Sequence, residues 1–432
     1  MAQYRRDRYE YLSNGNTIFE VVMLADQYGN MVGPANPSGT AVDAFGRARS
    51  SQPLTLFDSF SKNHESDKFI TSNTAGGSTV YASQEGVLYL QVDGSQLNSE
   101  VIRESNRVFA YQPGKSLLAM NSFVFSPQLP GLRQRVGYFG KRNGVFVEQN
   151  DDGIHFVKRD GSNTPIGQIG DDTLAVQTSW NIDPLDGTGP SGLTLEPTKA
   201  QIFWTDIEWL GVGSVRCGFV INGQMIHCHT FHHANIIDNT YMGTAILPVR
   251  YEITVTQING QFSNLKQICS TVISEGGYEF RGSGGFASRG LTKKSVGNSF
   301  VPLISIRLRA NYLDDIAVIQ GLQATGDAAG LYELQLVKGV SLTNANFNPV
   351  TSTGSVEYDI AATAYSGGEV LGGSVAEITN QSSLALDFGG SLFDLQLERD
   401  SEAAEATIYT LIARTDASAA AMSASFSWQE VT

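Results

Sequence analysis

Cysteine, positive charge and long apolar runs are all scarce in this sequence, and each scarcity excludes a class of protein. Three cysteines occur among 432 residues, so a disulfide framework is not expected and folding in a reducing compartment is the simpler interpretation. Lysine and arginine number 29 against 43 aspartate and glutamate residues, and this negative balance repels nucleic-acid phosphates. The sequence contains no run of about 18 apolar residues, so no membrane span is predicted. The segment Met1–Glu10 is polar, so no secretion signal is expected.

The negative charge is concentrated at one end of the chain. Residues 311–432 carry sixteen acidic side chains and three basic ones, Lys338, Arg399 and Arg414. The formal net charge of the whole chain is −14, so nearly all of the excess lies in this last part. Such an acidic surface would keep many copies soluble before they assemble.

Short apolar runs separated by turn residues dominate the chain, and they predict an all-β protein. The 45 glycines and the Asn-Gly and Asp-Gly pairs at Asn143, Asp152, Asp160 and Asn222 mark turns between strands. No segment shows a sustained helical period. We therefore predict a jelly-roll-like β-sandwich at residues 61–290 and a second, smaller and acidic β domain at residues 291–432.

The first sixty residues are predicted to be a strand followed by an extended arm. They are rich in Gly, Asn, Pro and Ser, and a long arm of this kind is often ordered only by a partner. A neighbouring copy is the expected partner. The residues predicted to contact it are Phe45, Arg47, Arg49, Leu54, Leu56 and Phe57.

The run at positions 227–233 (HCHTFHH) is the densest cluster of residues that can bind a metal. In a strand, alternate residues share a face, so His227 and His229 are expected to point together, with Cys228 opposite. A structural zinc site needs about four ligands and a catalytic one three. Beyond the two adjacent histidines no further ligand follows at a recognisable spacing. No metal site is therefore assigned. The alternatives are a strand that ends in a hydrogen-bonded loop and an interface that responds to pH.

The segment Phe203–Trp209 (FWTDIEW) is predicted to be a strand with Asp206 and Glu208 on one face. Paired carboxylates are what glycoside hydrolysis uses. The segment resembles part of the Glu-x-Asp-x-x-Glu or Glu-x-Asp-x-Glu strand of laminarinase-like jelly-roll glycosidases, whose first glutamate is the nucleophile. Trp204 stands at that position here, so no catalytic residue is assigned.

Two further features suggest binding without defining a site. The tryptophans Trp180, Trp204, Trp209 and Trp428 could stack on sugars, although aromatic residues of sandwiches are more often core residues. The loop Asn181–Glu196 offers oxygen atoms for calcium, but it lacks the alternating ligands and the final glutamate of an EF-hand. No cofactor is predicted from either feature.

Several longer strings resemble a family of virion structural proteins of marine and other tailed phages, including cyanophages. The likeness spans roughly residues 41–310, and the sequence departs from the family at Ala48 and Cys217. The strings are Asp43–Asp58, Tyr111–Ser116, Arg133–Phe139, Asp186–Leu195, Glu208–Phe219, Leu247–Ile253 and Gln267–Tyr278. The resemblance implies a tail-associated or fibre-like structural role and no catalytic residues.

The expected function is therefore that of a non-enzymatic virion protein, assembled in the host cytoplasm, exterior and associated with the tail or a fibre. It would form a homo-oligomer through its N-terminal arm and sheet edges and would contact other virion proteins. A capsid decoration or cement protein is one alternative, and a module that binds a host surface glycan is another. Neither nucleic acid nor a membrane is an expected partner.

Overall fold

The computed structural model describes residues 24–25, 31–32, 52–165, 167–279, 281–378, 384–386 and 395–431. Residues 1–52 and residues 53–432 are two separate compact units. In the first unit, the described residues are Gln52 and the short antiparallel strands β1 (Leu24–Ala25) and β2 (Met31–Val32). Most of the predicted arm therefore lies outside the described residues.

The second unit begins with the strands of a β-sandwich. They are β3 (Leu54–Phe60), β4 (Phe69–Asn73), β5 (Gly77–Ala82), β6 (Val87–Asp93), β7 (Glu100–Ser105), β8 (Leu117–Val124), β9 (Leu132–Phe139), β10 (Gly144–Asn150), β11 (Gly153–Asp160), β12 (Asp171–Val176), β13 (Gln201–Ile207), β14 (Val215–Ile221), β15 (Gln224–Phe231), β16 (Val249–Val255) and β17 (Phe262–Ser274). Strands such as β6 and β8 alternate buried and half-buried side chains, the pattern of a sheet with one face in the core, whereas β16 is buried along its whole length.

Two antiparallel sheets form the sandwich. The seven-stranded sheet has the order β12-β11-β10-β9-β16-β7-β4. The eight-stranded sheet has the order β15-β14-β13-β8-β17-β6-β5, with β3 also paired to β17. Their inner faces meet in one apolar core that includes Phe123, Tyr138, Phe156, Phe203 and Tyr251. The predicted all-β, jelly-roll-like fold is confirmed.

A second group of strands follows. They are β18 (Ser283–Ser288), β19 (Lys294–Val296), β20 (Val301–Leu308), β21 (Ile316–Gly326), β22 (Gly330–Lys338), β23 (Ser341–Thr343), β24 (Asn348–Pro349), β25 (Val356–Asp359), β26 (Ala364–Ser366), β27 (Glu369–Ile378), β28 (Leu384–Leu386), β29 (Tyr409–Thr415) and β30 (Ala420–Val431). They build a five-stranded sheet, a six-stranded sheet and the pair β23-β26. These strands enclose their own core around Tyr332, Leu411, Met422, Phe426 and Trp428.

The two groups of strands also share contacts. Ile316, Val318 and Val431 pack into the core of the sandwich, and the Gln396 side-chain amide donates to the Val108 carbonyl at 3.0 Å. Helices are limited, in the described ranges, to two 3₁₀ turns, Gln177–Ser179 and Ser401–Ala403. No helix there is long and apolar enough to cross a membrane.

Candidate interface on the outer faces of the sandwich

The outer face of the seven-stranded sheet carries charged residues that are almost completely buried. Cross-strand register places Glu104 opposite Arg250, and Arg135 opposite both Glu252 and Glu148. Arg250 reaches Glu104 at 3.0 Å and Glu252 at 2.9 Å, while Arg135 reaches Glu252 at 3.2 Å and Glu148 at 2.6 Å. We call these five residues the ionic ladder.

Neighbouring groups extend the ionic ladder at both ends. Arg159 forms a bidentate pair with Asp172, with distances of 2.7 and 2.9 Å, and Arg399 from the second strand group contacts Glu104. Beneath the arginines lie the buried rings of Phe139 and Phe146. The Arg250 guanidinium is 5.5 Å from the Phe139 ring and that of Arg159 is 5.0 Å from the Phe146 ring, distances typical of cation–π contacts.

The electrostatics of the ionic ladder suit structure better than acid–base chemistry. Burial alone would raise the pKa of Glu252, but Arg250, Arg135 and Arg133 outweigh it and hold that pKa well below its ordinary value of 4.5. A glycosidase acid needs a raised pKa so that it still carries a proton near neutral pH. Glu252 is therefore fixed as an anion that links strands.

The outer face of the eight-stranded sheet is different, because apolar side chains are exposed there. Register places Ile202 opposite Ser122, Ser122 opposite Cys269, and Cys269 opposite Phe60. The exposed fraction is 61% for Phe60 and 39% for Ile202. On the other side of β13, Phe203 lies opposite Phe219 of β14, and the next residue of β14, Val220, lies opposite Met225.

We call Met225, Val220, Ile202, Cys269 and Phe60 the apolar row. Val80 and Phe262, also outward-facing on this sheet, are 48% and 61% exposed. The charged side chains nearby are paired, as in Lys266 with Glu85 at 3.2 Å. Soluble monomers rarely expose a contiguous apolar patch beyond a few hundred Å², and larger ones mark interaction sites.

A polar group borders the apolar row on β13. The indole of Trp204 lies flat on Gly218, where a Cβ would come within 2.8 Å of the ring, and its centroid is 5.9 Å from that of His227. Asp206 forms an ion pair with Arg216. The indole nitrogen of Trp204 and Oδ1 of Asp206 are both buried without a hydrogen-bond partner. We call Trp204, Asp206, Arg216 and His227 the polar notch.

The predicted pairing of Asp206 with Glu208 on one strand face is wrong. Strand β13 ends at Ile207, and the exposed Glu208 follows it in a turn, where its backbone amide donates to the Ser214 carbonyl at 3.2 Å. The two residues therefore do not share one face of a strand. Asp206 is instead held by Arg216.

The expectation that His227 and His229 share a face is also wrong, because strand β15 contains a bulge. Gly218 pairs with His227 and Cys217 pairs with His229, so Cys228 is an extra residue. His227 faces outward beside Trp204, whereas His229 turns inward against Phe231.

The other two histidines of this run are also apart. His232 lies near Ser214 at the surface, and His233 stacks on Tyr241 with ring centroids 3.9 Å apart. Within the described residues no group of three or more His, Cys, Asp or Glu side chains could hold a metal ion.

The tryptophans and the loop Asn181–Glu196 have structural contacts. Trp180, Trp204 and Trp428 are at most 5% exposed, and the half-buried Trp209 donates its indole N–H to the Met242 carbonyl at 3.2 Å. They form no exposed stacking platform. In the loop, both carboxylate oxygens of Asp183 accept backbone N–H groups, at 2.9 and 2.8 Å.

The residues predicted to bind a neighbouring copy are only partly described. Phe45, Arg47 and Arg49 lie outside the described residues. Leu54, Leu56 and Phe57 belong to β3, a strand of the eight-stranded sheet. Leu56 and Phe57 are buried in the core of the sandwich, and Leu54 packs against it. Their contacts here are internal, and an intersubunit role for these six residues stays a prediction.

Comparisons with known proteins give distant structural similarities. No protein-family model and no curated protein matches the chain. It is similar to endo-β-1,4-glucuronan lyase from the fungus Trichoderma reesei, with a TM-score of 0.35, 10% identity, and coverage of 51% of this chain and 95% of the lyase. It is also similar to arcelin-5, a lectin-like defence protein of Phaseolus vulgaris, with a TM-score of 0.32, 11% identity, and coverage of 53% and 99%.

A third similar structure is the β-glucanase of Bacillus licheniformis. Its TM-score is 0.30, its identity is 11%, and the match covers 52% of this chain and 99% of the glucanase. Each of these three matches covers about half of this chain.

Proposed function

We propose that this chain is a non-enzymatic structural subunit of a tailed-phage virion that assembles with copies of itself and with other virion proteins. The apolar row on the eight-stranded sheet carries this proposal. In a sheet that has one face in the core and one face in water, the residues that point towards water are normally polar. Here Phe60, Ile202 and Met225 are exposed instead, as expected for a face that another subunit covers.

The size of this face fits a stable interface. Seven strands of the sheet lie side by side. At about 4.8 Å between strands and about seven residues of about 3.3 Å each, they cover about 800 Å². Each partner in a standard interface of about 1,600 Å² buries the same area. The proposed subunit is exterior and tail- or fibre-associated, and a capsid decoration protein is the alternative placement; antibody labelling of particles in electron micrographs distinguishes them.

The carboxylates of the sandwich support the non-enzymatic part of the proposal. Glu104, Glu148 and Glu252 each contact at least one arginine of the ionic ladder, and Asp206 contacts Arg216. A retaining glycosidase needs one carboxylate free as nucleophile and a second as acid, about 5 Å apart. The arginine contacts leave these four carboxylates unsuited to either role.

The test measures assembly directly. Light scattering coupled to size exclusion should give an oligomeric mass for the wild type and a lower mass for Ile202→Asp, because a carboxylate in the interface loses its water. Ile258→Asp is the matched control, since Ile258 is 59% exposed in a turn outside the sheet face. A monomeric wild type at all concentrations would contradict the proposal, and equal masses for both variants would exclude the apolar row as the interface.

The thiol of Cys269 offers a second readout without mutation of the interface. Cys269 is exposed within the apolar row, whereas Cys217 and Cys228 are buried. Its alkylation rate should fall as protein concentration rises and oligomers form. An alkylation rate that does not depend on concentration, in a sample shown to be oligomeric, would locate the interface elsewhere.

The polar notch favours a second candidate, the binding of a host surface glycan. Trp204 and Asp206 hold an unpartnered donor and an unpartnered acceptor on the same face. Both atoms are buried, so this candidate requires the side chains above them to move aside before a sugar hydroxyl can pair with them. Glycan arrays with the wild type and Trp204→Phe test it, since phenylalanine keeps the ring and removes the N–H. Binding that is lost in Trp204→Phe, with monomeric wild type, would favour this candidate over assembly.

A further inference from the structure

An open edge of a sheet presents unpaired backbone groups that can pair with another strand. The seven-stranded sheet ends at β12 and β4, and the eight-stranded sheet ends at β15 and β5, with a third edge at β3, which pairs with β17 on one side. Natural proteins close such edges with charges, proline, bulges or covering loops. The β3 edge carries the charged Asp58, and the Lys68 ammonium donates to the Asp58 carbonyl at 2.7 Å.

Local contacts close the β15 edge. The backbone amides of Ile182 and Asp183 donate to the Cys228 carbonyl at 3.0 and 3.1 Å. The side chain of Asn181 donates to the Thr230 carbonyl at 2.9 Å and accepts from the Thr230 amide at 2.9 Å. The loop after β12 thus occupies the backbone groups at which an incoming strand would pair. The bulge at Cys228 further interrupts this edge.

The two edges of the seven-stranded sheet are closed by other means. At β12, the Trp180 indole donates to the Ala175 carbonyl at 3.0 Å and the Ser179 hydroxyl donates to the Val176 carbonyl at 2.8 Å, and the strand begins with two aspartates. At β4, which has five residues, the 3₁₀ turn Ser401–Ala403 lies against the strand.

Strand β5 has none of these devices. Its six residues, Gly77–Ala82 (GSTVYA), include neither a charged residue nor a proline. Among the described residues, no hydrogen bond reaches the outer edge of the stretch Ser78–Tyr81; the bonds made nearby involve Gly77 and Ala82 at its ends. Val80, in the middle, is 48% exposed. This edge matches the uncharged, accessible strands to which other strands add.

We infer that β5 pairs antiparallel with β5 of a second copy, so that the two eight-stranded sheets become one continuous sheet. An identical strand suits this edge because antiparallel pairing about a two-fold axis makes the edge its own complement. The stretch offers no charge that would select a foreign peptide. Two-fold pairing also brings Val80 close to its own copy, on the same outer face as the apolar row. The inference rests on the proposed assembly role, and it places a contact between copies at the β5 edge in addition to the apolar row.

Hydrogen exchange of β5 tests the inference. In the wild type, the backbone amides of Ser78–Tyr81 that are not hydrogen-bonded to β6 should exchange more slowly at high protein concentration than at low concentration. In Val80→Lys, two lysines would face each other across the two-fold axis, and the protection should disappear. Because like charges opposite each other destabilise a strand pair, the dissociation constant of the dimer should rise about two- to fivefold.

Controls separate this inference from the proposed function. Val212→Lys alters a valine of similar exposure, 38%, outside the sheet, and should leave exchange and mass unchanged. If Ile202→Asp lowers the oligomeric mass while hydrogen exchange of β5 does not depend on protein concentration, the assembly proposal stands and the edge pairing is wrong. If β5 is protected while Ile202→Asp has no effect, the edge pairing stands and the apolar row is not an interface. Monomers throughout overturn both.

Discussion

Arg250 provides the most direct test of how the seven-stranded sheet is held together. Its guanidinium is 4% exposed and contacts Glu104 and Glu252 through three hydrogen bonds of 2.9 to 3.2 Å. Replacement by methionine keeps the bulk of the stem and removes the charge. Removing one partner of a buried ion pair costs about 3–5 kcal/mol, because the remaining charge stays buried and uncompensated.

We expect Arg250→Met to fall at the lower end of that range. Glu104 keeps its contact with Arg399, and Glu252 keeps Arg135 at 3.2 Å. The free energy of unfolding should therefore drop by about 3 kcal/mol. Arg414→Met is the matched control: Arg414 also pairs with a glutamate on a neighbouring strand, Glu333, but it is 48% exposed, and exposed pairs contribute about 1 kcal/mol or less.

The difference in unfolding free energy between the wild type and Arg250→Met should become smaller as the pH falls. The folded-state pKa of Glu252 is held below its ordinary value of 4.5, so its contribution is fully present above that value and is lost as the pH falls below it. Arg250→Met removes one of the charges responsible, so wild type and variant should converge on acidification.

Urea denaturation at pH 7 and at pH 4 measures both effects. A loss for Arg250→Met no larger than that for Arg414→Met at pH 7 would refute the view that the ionic ladder is a buried, tightly coupled network. A difference that widens on acidification would refute the assignment of Glu252 as the buried anion.

Three further predictions concern single residues. Gly218→Val should lower the free energy of unfolding by about 3 kcal/mol and change tryptophan fluorescence, because a Cβ there would lie 2.0 Å from the Ile226 carbonyl oxygen and 2.8 Å from the Trp204 ring; Gly223→Asn, in a turn with open space, should cost less than about 1 kcal/mol, because asparagine tolerates a positive φ. Maleimide labelling at low protein concentration should add one group to the native chain, on Cys269, and three after unfolding, since the other two cysteines are buried. Burial lowers the pKa of His233 from 6.5 to about 4, so the unfolded chain binds the proton more tightly and stability should fall as the pH drops from 6.5 towards 4; in His233→Gln this component of the urea titration should be absent.

Local chemistry in the sequence was sufficient to predict the fold class. The Asn143-Gly144 and Asn222-Gly223 pairs lie between β9 and β10 and between β14 and β15, and both glycines have positive φ, 147° and 76°. Such turns depend on residues next to each other in the chain. The alternation of apolar and polar residues in the flanking strands is equally local, so the existence of a sandwich could be predicted without knowing which strands pair.

Residues that meet across long distances in the chain could not be predicted in this way. Arg250 and Glu104 are 146 positions apart, and only the pairing of β16 with β7 makes them partners. The alternation of charges at Arg250 and Glu252 was a visible signal that the strand has a charged face. This signal did not indicate whether the charged face is exposed to solvent or buried.

The sequence by itself therefore determined an acidic, cysteine-poor, all-β protein with its turns in place. Tertiary structure decided which faces of the sheets are buried. One extra residue at Cys228 separates His227 from His229, and the end of β13 at Ile207 separates Asp206 from Glu208. The physical reason is that side-chain direction in a strand has a period of two. A single bulge reverses that direction and a strand end stops the alternation, and where each falls depends on pairing with distant strands.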